Sequence, residues 1–360
     1  MEPPSKRSEP ATDTRPERRP TLLDVARLAQ VSAATASRAL NNPEMVSEEA
    51  RLSVLQAAER AGYQPNLMAR SLRKQQARAI VVLVPVIENP FYPEIIRGLE
   101  AAARDRGYSL LLGITVYDRS VESSYIELVR NQRADGIVLL DGGMENLLED
   151  GNRFVVPSVQ VIERVQGVDL PWVGIDDRAA AACGVQHLLD LGHRRIGHVS
   201  GWDRCTVTGD RLAGYRAALQ LAGIADDPAL IETGEFIFAR GEAAAAKLMA
   251  LPEPPTALFC ANDTSALGAL RYVRSLGLKV PGDVSIVGFD DIHLSVQSDP
   301  PLTTLRQPRF DIGFAAMTLL IDLLAAAPDL TTQQTLPVEL IVRDSTAPPP
   351  GPGNRHNRRL

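Results

Sequence analysis

Polar and aromatic residues recur just beyond the apolar runs of this 360-residue chain. Asn89, Phe91 and Tyr92 follow the run at 80–87, Tyr117 and Asp118 the run at 108–116, and Asp141 the run at 136–140. Glu163 and Arg164 follow 154–162, Asn262 and Asp263 follow 257–261, and Asp290 and Asp291 follow 284–289. Arg211 opens a helix after the run at 195–200. Carboxylates, amides and an arginine hydrogen-bond to hydroxyl groups, and aromatic rings stack on a C–H face, so the set suits a polyhydroxylated ligand. Singly, each residue has a plainer role as a helix N-cap, and for Asp177 and Asp263 that is the expected one. Agreement of the set carries the inference.

A second cluster, residues 21–42 (TLLDVARLAQVSAATASRALNN), has the chemistry of a nucleic-acid reader. Thr21 and Asp24 form a capping-box pattern that starts a helix at Leu22. Leu22, Val25, Ala26 and Ala29 fall on one face at helical spacing. Gln30 and Val31 make a turn, and Ser32 caps a second helix carrying Ala33 to Leu40. A third helix begins near Ser47, has Glu48 and Glu49 where the dipole favours acids, and ends at Gly62. The pattern alone is also compatible with a plain three-helix bundle.

Behind the first set stands an alternation of apolar runs and amphipathic stretches. Strands are expected at 80–87, 108–116, 136–140, 154–162, 173–175, 195–200, 257–261 and 284–289. Helices are expected near 91–106, 121–133, 178–191, 209–222, 240–250, 263–276 and 309–326. This βαβ order implies parallel sheets wrapped by helices, and about ten strands suit two doubly wound subdomains better than one. Ligands of such sheets bind beyond the carboxyl ends of the strands, where the first set lies.

Composition sets the limits. Hydrophobic residues make up 45% and charged residues 23%, the profile of a globular protein. The net charge of −6 is unevenly placed, with 13 Lys and Arg against 9 Asp and Glu in residues 1–78, and 25 against 35 afterwards. A basic head on an acidic body fits nucleic-acid binding at one end. Cys183, Cys205 and Cys260 are far apart, which favours reduced, buried thiols over disulfides or zinc. Residues 1–20 and 346–360 read as polar, Pro-rich tails, without the apolar core of a signal peptide. No apolar run approaches a membrane span, so a cytoplasmic location is expected. GxSxG, a Walker loop and GxGxxG after the first strand are all absent, so no enzyme and no cofactor are expected. His193 and His198 flank a strand entry and share no helix face, so no metal is expected either.

Together the stretches TLLDVARLAQVSAATASRALNN, YQPNLMARSLR, NPFYPEIIRGLE, LGHRRIGHVSG, DRLAGY, CANDTSALGAL, VPGDVSIVGFDD and PPLTTLRQP resemble the lactose-repressor (LacI/GalR) family of bacterial transcription regulators. The resemblance runs from about Thr21 to Arg343. It implies a small all-α helix-turn-helix head and an α/β body of two doubly wound parallel-sheet subdomains, like the periplasmic binding proteins. It also implies a homodimer, most often a repressor, that binds a palindromic operator under control of a small polar effector of the sugar or sugar-acid class. By match to the family motif, Ala33, Ala34 and Thr35 face base edges and Arg38 reaches a guanine, whose two acceptors suit Arg. Ser32 and Ser37 are assigned to phosphates. Asn66, Ala69 and Leu72 fall in the family's hinge helix, with Leu72 at the position that wedges into the minor groove. Arg70, Arg73, Lys74 and Arg78 suit phosphate contact in the same segment.

For the effector, Arg211, Asn262 and Asp290 match the family's ligand-holding residues, and Phe236 matches a stacking aromatic. Phe91, Tyr92, Asp141 and Glu163 complete the candidate set. Two departures stand out: Gln30 sits in the turn where small residues or Asn are commoner, and Ala36 and Ala39 replace branched apolar residues.

The implied organisation is a head at 21–64, a hinge or linker at 65–78, and an effector-binding and dimerisation body at 79–345. Its subdomains are about 79–176 with 307–336 and about 177–306 with 337–345. The alternative reading is a periplasmic-type sugar receptor without a DNA role. The Pro/Gly-rich end, TAPPPGPGNRHNRRL, has no leucine heptad, which favours a dimer over a tetramer.

Overall fold

The computed structural model describes residues 20–63, 76–140, 148–149, 153–154, 156–164, 169–328 and 330–351. The chain divides into two compact units, residues 1–75 and 76–360. Asn66, Ala69, Leu72 and Asp141 of the candidate set lie outside the described residues.

In the first unit, helices α1 (Leu22–Leu28), α2 (Ala33–Asn41) and α3 (Glu48–Ala61) follow in order, with a 3₁₀ turn at Pro43–Met45 before α3. The Asp24 carboxylate accepts from the Thr21 N–H (2.9 Å) and hydroxyl (2.6 Å), fixing the start of α1. Gln30 makes the turn with φ of 54°, a left-handed conformation that costs a β-carbon some strain. The Val31 N–H then closes onto Ala26 O at 3.0 Å. Val25, Ala26, Ala29, Ala36, Ala39, Val54, Ala57 and Ala58 form the buried centre. Six of those eight are alanine, so the three helices pack through small side chains at close approach. Gly62 ends α3 with φ of 61°.

The second unit holds two six-stranded sheets with helices on both faces. Its elements in chain order are β1 (Ala79–Val84), α4 (Tyr92–Asp105), β2 (Ser109–Ile114), α5 (Arg119–Arg130), β3 (Gly136–Leu139), a short hairpin β4 (Leu148–Glu149) and β5 (Arg153–Phe154), β6 (Ser158–Val161) and β7 (Trp172–Ile175). Then come α6 (Asp177–Asp190), β8 (Ile196–Ser200), α7 (Thr206–Leu221), β9 (Ile231–Thr233), α8 (Phe238–Met249), β10 (Ala257–Cys260), α9 (Asp263–Ser275), β11 (Ser285–Asp290) and α10 (His293–Gln297). The last are β12 (Thr303–Arg306), α11 (Arg309–Leu324), β13 (Gln333–Leu336) and β14 (Glu339–Ile341).

The first sheet runs β13-β7-β6-β3-β1-β2 and the second β14-β12-β11-β10-β8-β9. All their pairings are parallel except β12 with β14. The chain therefore passes from one sheet to the other three times, after β7, after β12 and after β13. Three parallel passes make a hinge that lets the two subdomains approach or part without unfolding either.

Four strands of the two six-stranded sheets escaped the sequence reading: β9, β12, β13 and β14. Each is three or four residues long and, with polar residues such as Glu232, Thr304, Gln333 and Glu339, none forms an apolar run. The linker and the tail are both shorter than expected. The Ala77 and Arg78 N–H groups donate to the two oxygens of Asp135 (2.7 Å each), which ties residues 77–78 to the body. Arg78 also lies 4.9 Å from the Tyr108 ring and donates to Arg106 O, so its guanidinium makes contacts within the body. At the other end the Ala347 N–H donates to Ser285 Oγ (3.0 Å) and His193 Nε2 bonds to Ala347 O (2.9 Å), so residue 346 does not begin a free tail.

Helices α4 and α11 cross over one face of the first sheet, with Ile95, Leu99, Ile312, Ala316 and Leu320 buried beneath them. They touch backbone to backbone: a β-carbon on Gly98 would lie 2.0 Å from Phe310 O, and one on Gly313 would lie 2.1 Å from Ile95 O. Neither backbone can yield without separating the helices. Gly98→Ala is therefore expected to lower unfolding free energy by about 1–3 kcal/mol, the usual cost of overpacking. Chemical denaturation measures it, and an unchanged midpoint would show that the helices can part freely.

Candidate functional site

A cavity of about 420 Å³ opens between the two subdomains, at the carboxyl ends of their strands. Phe91, Tyr92, Tyr117 and Glu163 line it from the first subdomain, and Trp202, Arg211, Phe236, Asn262 and Asp290 from the second. Seven of the eight candidate effector residues thus meet in one place, Asp141 being the one outside the described residues. The size falls within the roughly 300–1,000 Å³ of small-molecule sites.

Arg211 sits in the second turn of α7, not at its start, and is almost wholly buried. Its Nε donates to Asp177 Oδ1 at 2.7 Å and its NH1 to Ala261 O at 2.5 Å. Asp290 Oδ1 lies 3.9 Å from NH1, and the guanidinium lies 3.8 Å from the Phe289 ring. Burial disfavours the charge, but Asp177 first and then Asp290 more than restore it. Removing one partner of a buried pair costs about 3–5 kcal/mol because the other charge is stranded.

Two caps differ from expectation by one residue. Asp176 caps α6 by accepting from the Ala179 N–H (2.9 Å), which frees Asp177 to hold Arg211. Asn262 caps α9 by accepting from the Ser265 N–H (2.9 Å), while its Nδ2 donates to Phe236 O (3.2 Å). Asp263 is a buried structural carboxylate that accepts from the Ile292 N–H, Ser295 Oγ and Thr304 Oγ1. Asp118 keeps the plain role, capping α5 by accepting from the Ser120 N–H. Asp291 is taken up by Arg306 and Arg343 at 2.7 and 2.6 Å.

Glu163 faces the cavity, but its Oε2 also accepts from the Thr206 N–H (3.0 Å) and hydroxyl (2.7 Å) in the opposite subdomain. Burial raises its pKa, partly offset by those two bonds. Arg164 stacks on the Trp172 ring at 3.9 Å and is not part of the lining.

Several lining residues were missed. Trp202 stands just past β8, where the carboxyl-end rule points, but its run was credited with Arg211 alone. Glu235, Ile237 and Phe238 follow β9, a strand too short and polar to be seen, so the rule had nothing to act on. Phe236 came from family resemblance only. Among the non-glycine residues with positive φ are Tyr117, Ile162, Glu235, Phe236 and Asp290, all of them lining the cavity. Backbone strain gathers at functional loops, and its concentration here marks the cavity wall as such a place.

In the first unit, Ser32 serves as the N-cap of α2, its Oγ accepting from the Thr35 N–H at 3.0 Å and sharing a 2.9 Å bond with Thr35 Oγ1. Ala34 and Arg38 are exposed, and Ala33, Thr35 and Ser37 half-buried. Ala36 and Ala39 turn inward and are buried. One face of α2 is therefore open while the other is committed to the core.

The imidazoles are structural. His193 bonds Thr256, Ser285 and Ala347, and His198 lies stacked between Tyr215 and Phe259, its pKa lowered by burial to about 4. Among the described residues no group of three or more His, Cys, Asp or Glu is placed to hold a metal ion, and no helix is long and apolar enough to cross a membrane. None of the three cysteines forms a disulfide, and of the three only Cys260 is fully buried, Cys183 being exposed at the surface of α6.

Residues 21–66 match the model for bacterial regulatory proteins of the lacI family, and residues 185–346 match the periplasmic binding protein-like domain. The HTH-type transcriptional repressor CytR of Escherichia coli strain K12 is 42% identical over 328 residues, covering 91% of this chain and 96% of that protein. Catabolite control protein A of Priestia megaterium is 36% identical over 302 residues, covering 83% of this chain and 91% of that one. Among solved structures, the lac repressor dimer bound to operator and the anti-inducer ONPF matches with a TM-score of 0.83 at 27% identity, over 92% of this chain and 100% of that one. A transcriptional regulator CelR–cellobiose complex matches at 0.67 and 31% identity, over 91% and 100%.

The Asp290 carboxyl is pushed up to about 8, first by burial, with Arg211 pulling the other way. A folded value above the ordinary 3.8 means the folded chain holds this proton more tightly than the unfolded one. Stability from this group is therefore present in acid and is lost as pH rises towards about 8. Asp290→Asn, which cannot titrate, is expected to flatten the fall in unfolding free energy between about pH 5 and about pH 8. Denaturant titrations across that range check it, and equal slopes for both chains would contradict it.

Proposed function

The chain belongs to the LacI family of bacterial regulatory proteins, and from that premise we propose that it is a transcriptional repressor controlled by a small polar effector. It binds a palindromic operator as a homodimer in the cytoplasm, and the effector is of the sugar or sugar-acid class. The observation that carries the effector half of this reading is the buried Arg211–Asp177 pair in the wall of a cavity that also presents aromatic rings. A guanidinium held by one carboxylate can donate to vicinal hydroxyls, while the second carboxyl it faces, whose proton affinity burial raises, can accept from them. Phe236 and Trp202 offer ring faces for the C–H side of the same ligand. The solved CelR complex holds cellobiose, which supports a carbohydrate-like occupant.

The DNA half rests on the match of residues 21–66 and on the open face of α2. Ala33 and Ala34 offer only methyl groups to base edges, so Arg38 carries most of the hydrogen-bonded reading. Ser32 caps α2 as an acceptor, and its exposed hydroxyl can still donate to a phosphate, beside the N–H groups at the start of α2. Leu72 is proposed as the minor-groove wedge of a hinge helix that includes Asn66 and Ala69, and Ser37 as a phosphate contact. Ligand in the cleft changes the hinge angle of the body, and with it the spacing of the two hinge segments in the dimer.

Two measurements test the halves separately. Arg38→Ala is expected to weaken operator binding by about 1–3 kcal/mol while sparing non-specific DNA binding, read from anisotropy titrations with operator and scrambled duplexes. Equal losses on both duplexes would remove Arg38 from base reading. A thermal-shift screen of mono- and disaccharides, sugar acids and nucleosides identifies the effector class, and Phe236→Ala is expected to lower the affinity of the hit about tenfold with operator binding retained. Arg211→Ala is the poorer test, since it strands Asp177 in the core.

A further inference from the structure

Side-chain contacts of two kinds join the subdomains across the mouth of the cavity, beside a 3.4 Å bond from the Arg164 N–H to Thr206 Oγ1, and all attach the same short segment of the second subdomain. That segment, residues 202–206, links β8 to α7. In the first contact the Arg204 guanidinium stacks on two rings at once, 3.8 Å from Tyr117 of the first subdomain and 3.9 Å from Trp202 of its own. The two rings also meet edge to face with centroids 5.0 Å apart. Tyr117 is presented by a costly backbone: Val116 and Tyr117 have φ of 44° and 59° in succession, the first a β-branched residue. A strain of that kind persists only where surrounding structure over-determines it.

The second contact replaces a missing cap. Cys205 stands at the N-cap of α7 and makes no side-chain bond to the helix. The free end is met instead by Glu163 of the first subdomain, whose carboxylate accepts from the Thr206 N–H and hydroxyl. The positive end of α7 is thus completed only when the cleft is closed.

We propose that Tyr117, Trp202 and Arg204, together with the Glu163 cap on α7, form one clasp that holds the cleft closed independently of any ligand. Tyr117, Trp202 and Glu163 line the cavity, and Arg204 does not. Arg204 therefore acts as a positioning residue for the closed state, governing entry and release, and takes no part in recognising what is bound. The stack alone is weak, since Arg204 is exposed. Because one short segment carries both, losing either lets that segment move and weakens the other. The effector site of the proposed function gives the clasp its use, but the clasp itself can be tested with no effector present.

Hydrogen–deuterium exchange of the full chain in heavy water is the test, with the wild type compared with Arg204→Ala, Glu163→Gln and the double variant. The bonded amides of Val116 and Asp118 report one side of the cleft, and that of Thr206 reports the other. Glu163→Gln is expected to speed exchange at 116–118 by about threefold or more, although Glu163 and residues 116–118 lie on different segments of the first subdomain. Arg204→Ala is expected to do the same at Thr206, and the double variant to exceed neither single one. Changes confined to each variant's own contact, or adding in the double variant, would overturn the clasp. Arg204 is exposed, so its removal leaves no core cavity. Arg204→Lys keeps the charge but loses the flat stack, and it should fall between the wild type and Arg204→Ala.

Discussion

A buried guanidinium with one close carboxylate partner is the constraint around which the body is arranged. Arg211 cannot lose its proton, and at near-complete burial it cannot be solvated by bulk water. It stays in place because Asp177, Ala261 O and the face of Phe289 surround it, with Asp290 just beyond bonding distance. Those groups come from three separate segments, the start of α6 and the ends of β10 and β11, while Arg211 itself stands in the second turn of α7. Each is where it is because a parallel strand ends there and its helix begins. The site is therefore a by-product of winding order, and the charge fixes which strand ends must stay together.

Asp290 sharpens this point. Burial raises the pKa of Asp290 against the pull of Arg211, so its carboxyl takes up a proton more readily than a solvated one. Donors and acceptors thus stand in one wall beside a fixed cation. The opposite subdomain supplies rings and Glu163. Neither half alone can enclose a ligand. The three passes of the chain between sheets make enclosure a matter of hinge angle.

Much of this was legible in the sequence. The apolar runs that become β1, β3, β6, β10 and β11 are buried on both faces, so they read as continuous stretches, and the residues after them were found by position alone. β9 and β12 to β14 were not legible, because edge or short strands with polar residues have no run to detect. The capping assignments erred by one residue at Asp177 and Asp263. Local chemistry allows either neighbour to cap, and only the distant partners, Arg211 in one case and Ser295 with Thr304 in the other, decide between them. Glu163 was placed correctly, but its bond to Thr206 joins two segments 43 residues apart and leaves no trace in spacing. The head was legible because a helix-turn-helix is built from local signals, and its alanine-rich core followed from the same pattern.

The central claim is that occupancy of the cleft and occupancy of DNA are energetically coupled. The most direct measurement titrates a labelled operator duplex with the full chain, by anisotropy, with and without a saturating ligand found by its thermal stabilisation. The account predicts a shift in operator affinity of about fivefold or more, and an equal shift in ligand affinity when operator is bound, since coupling free energies are reciprocal. A ligand that demonstrably occupies the cleft yet leaves operator affinity unchanged would contradict it.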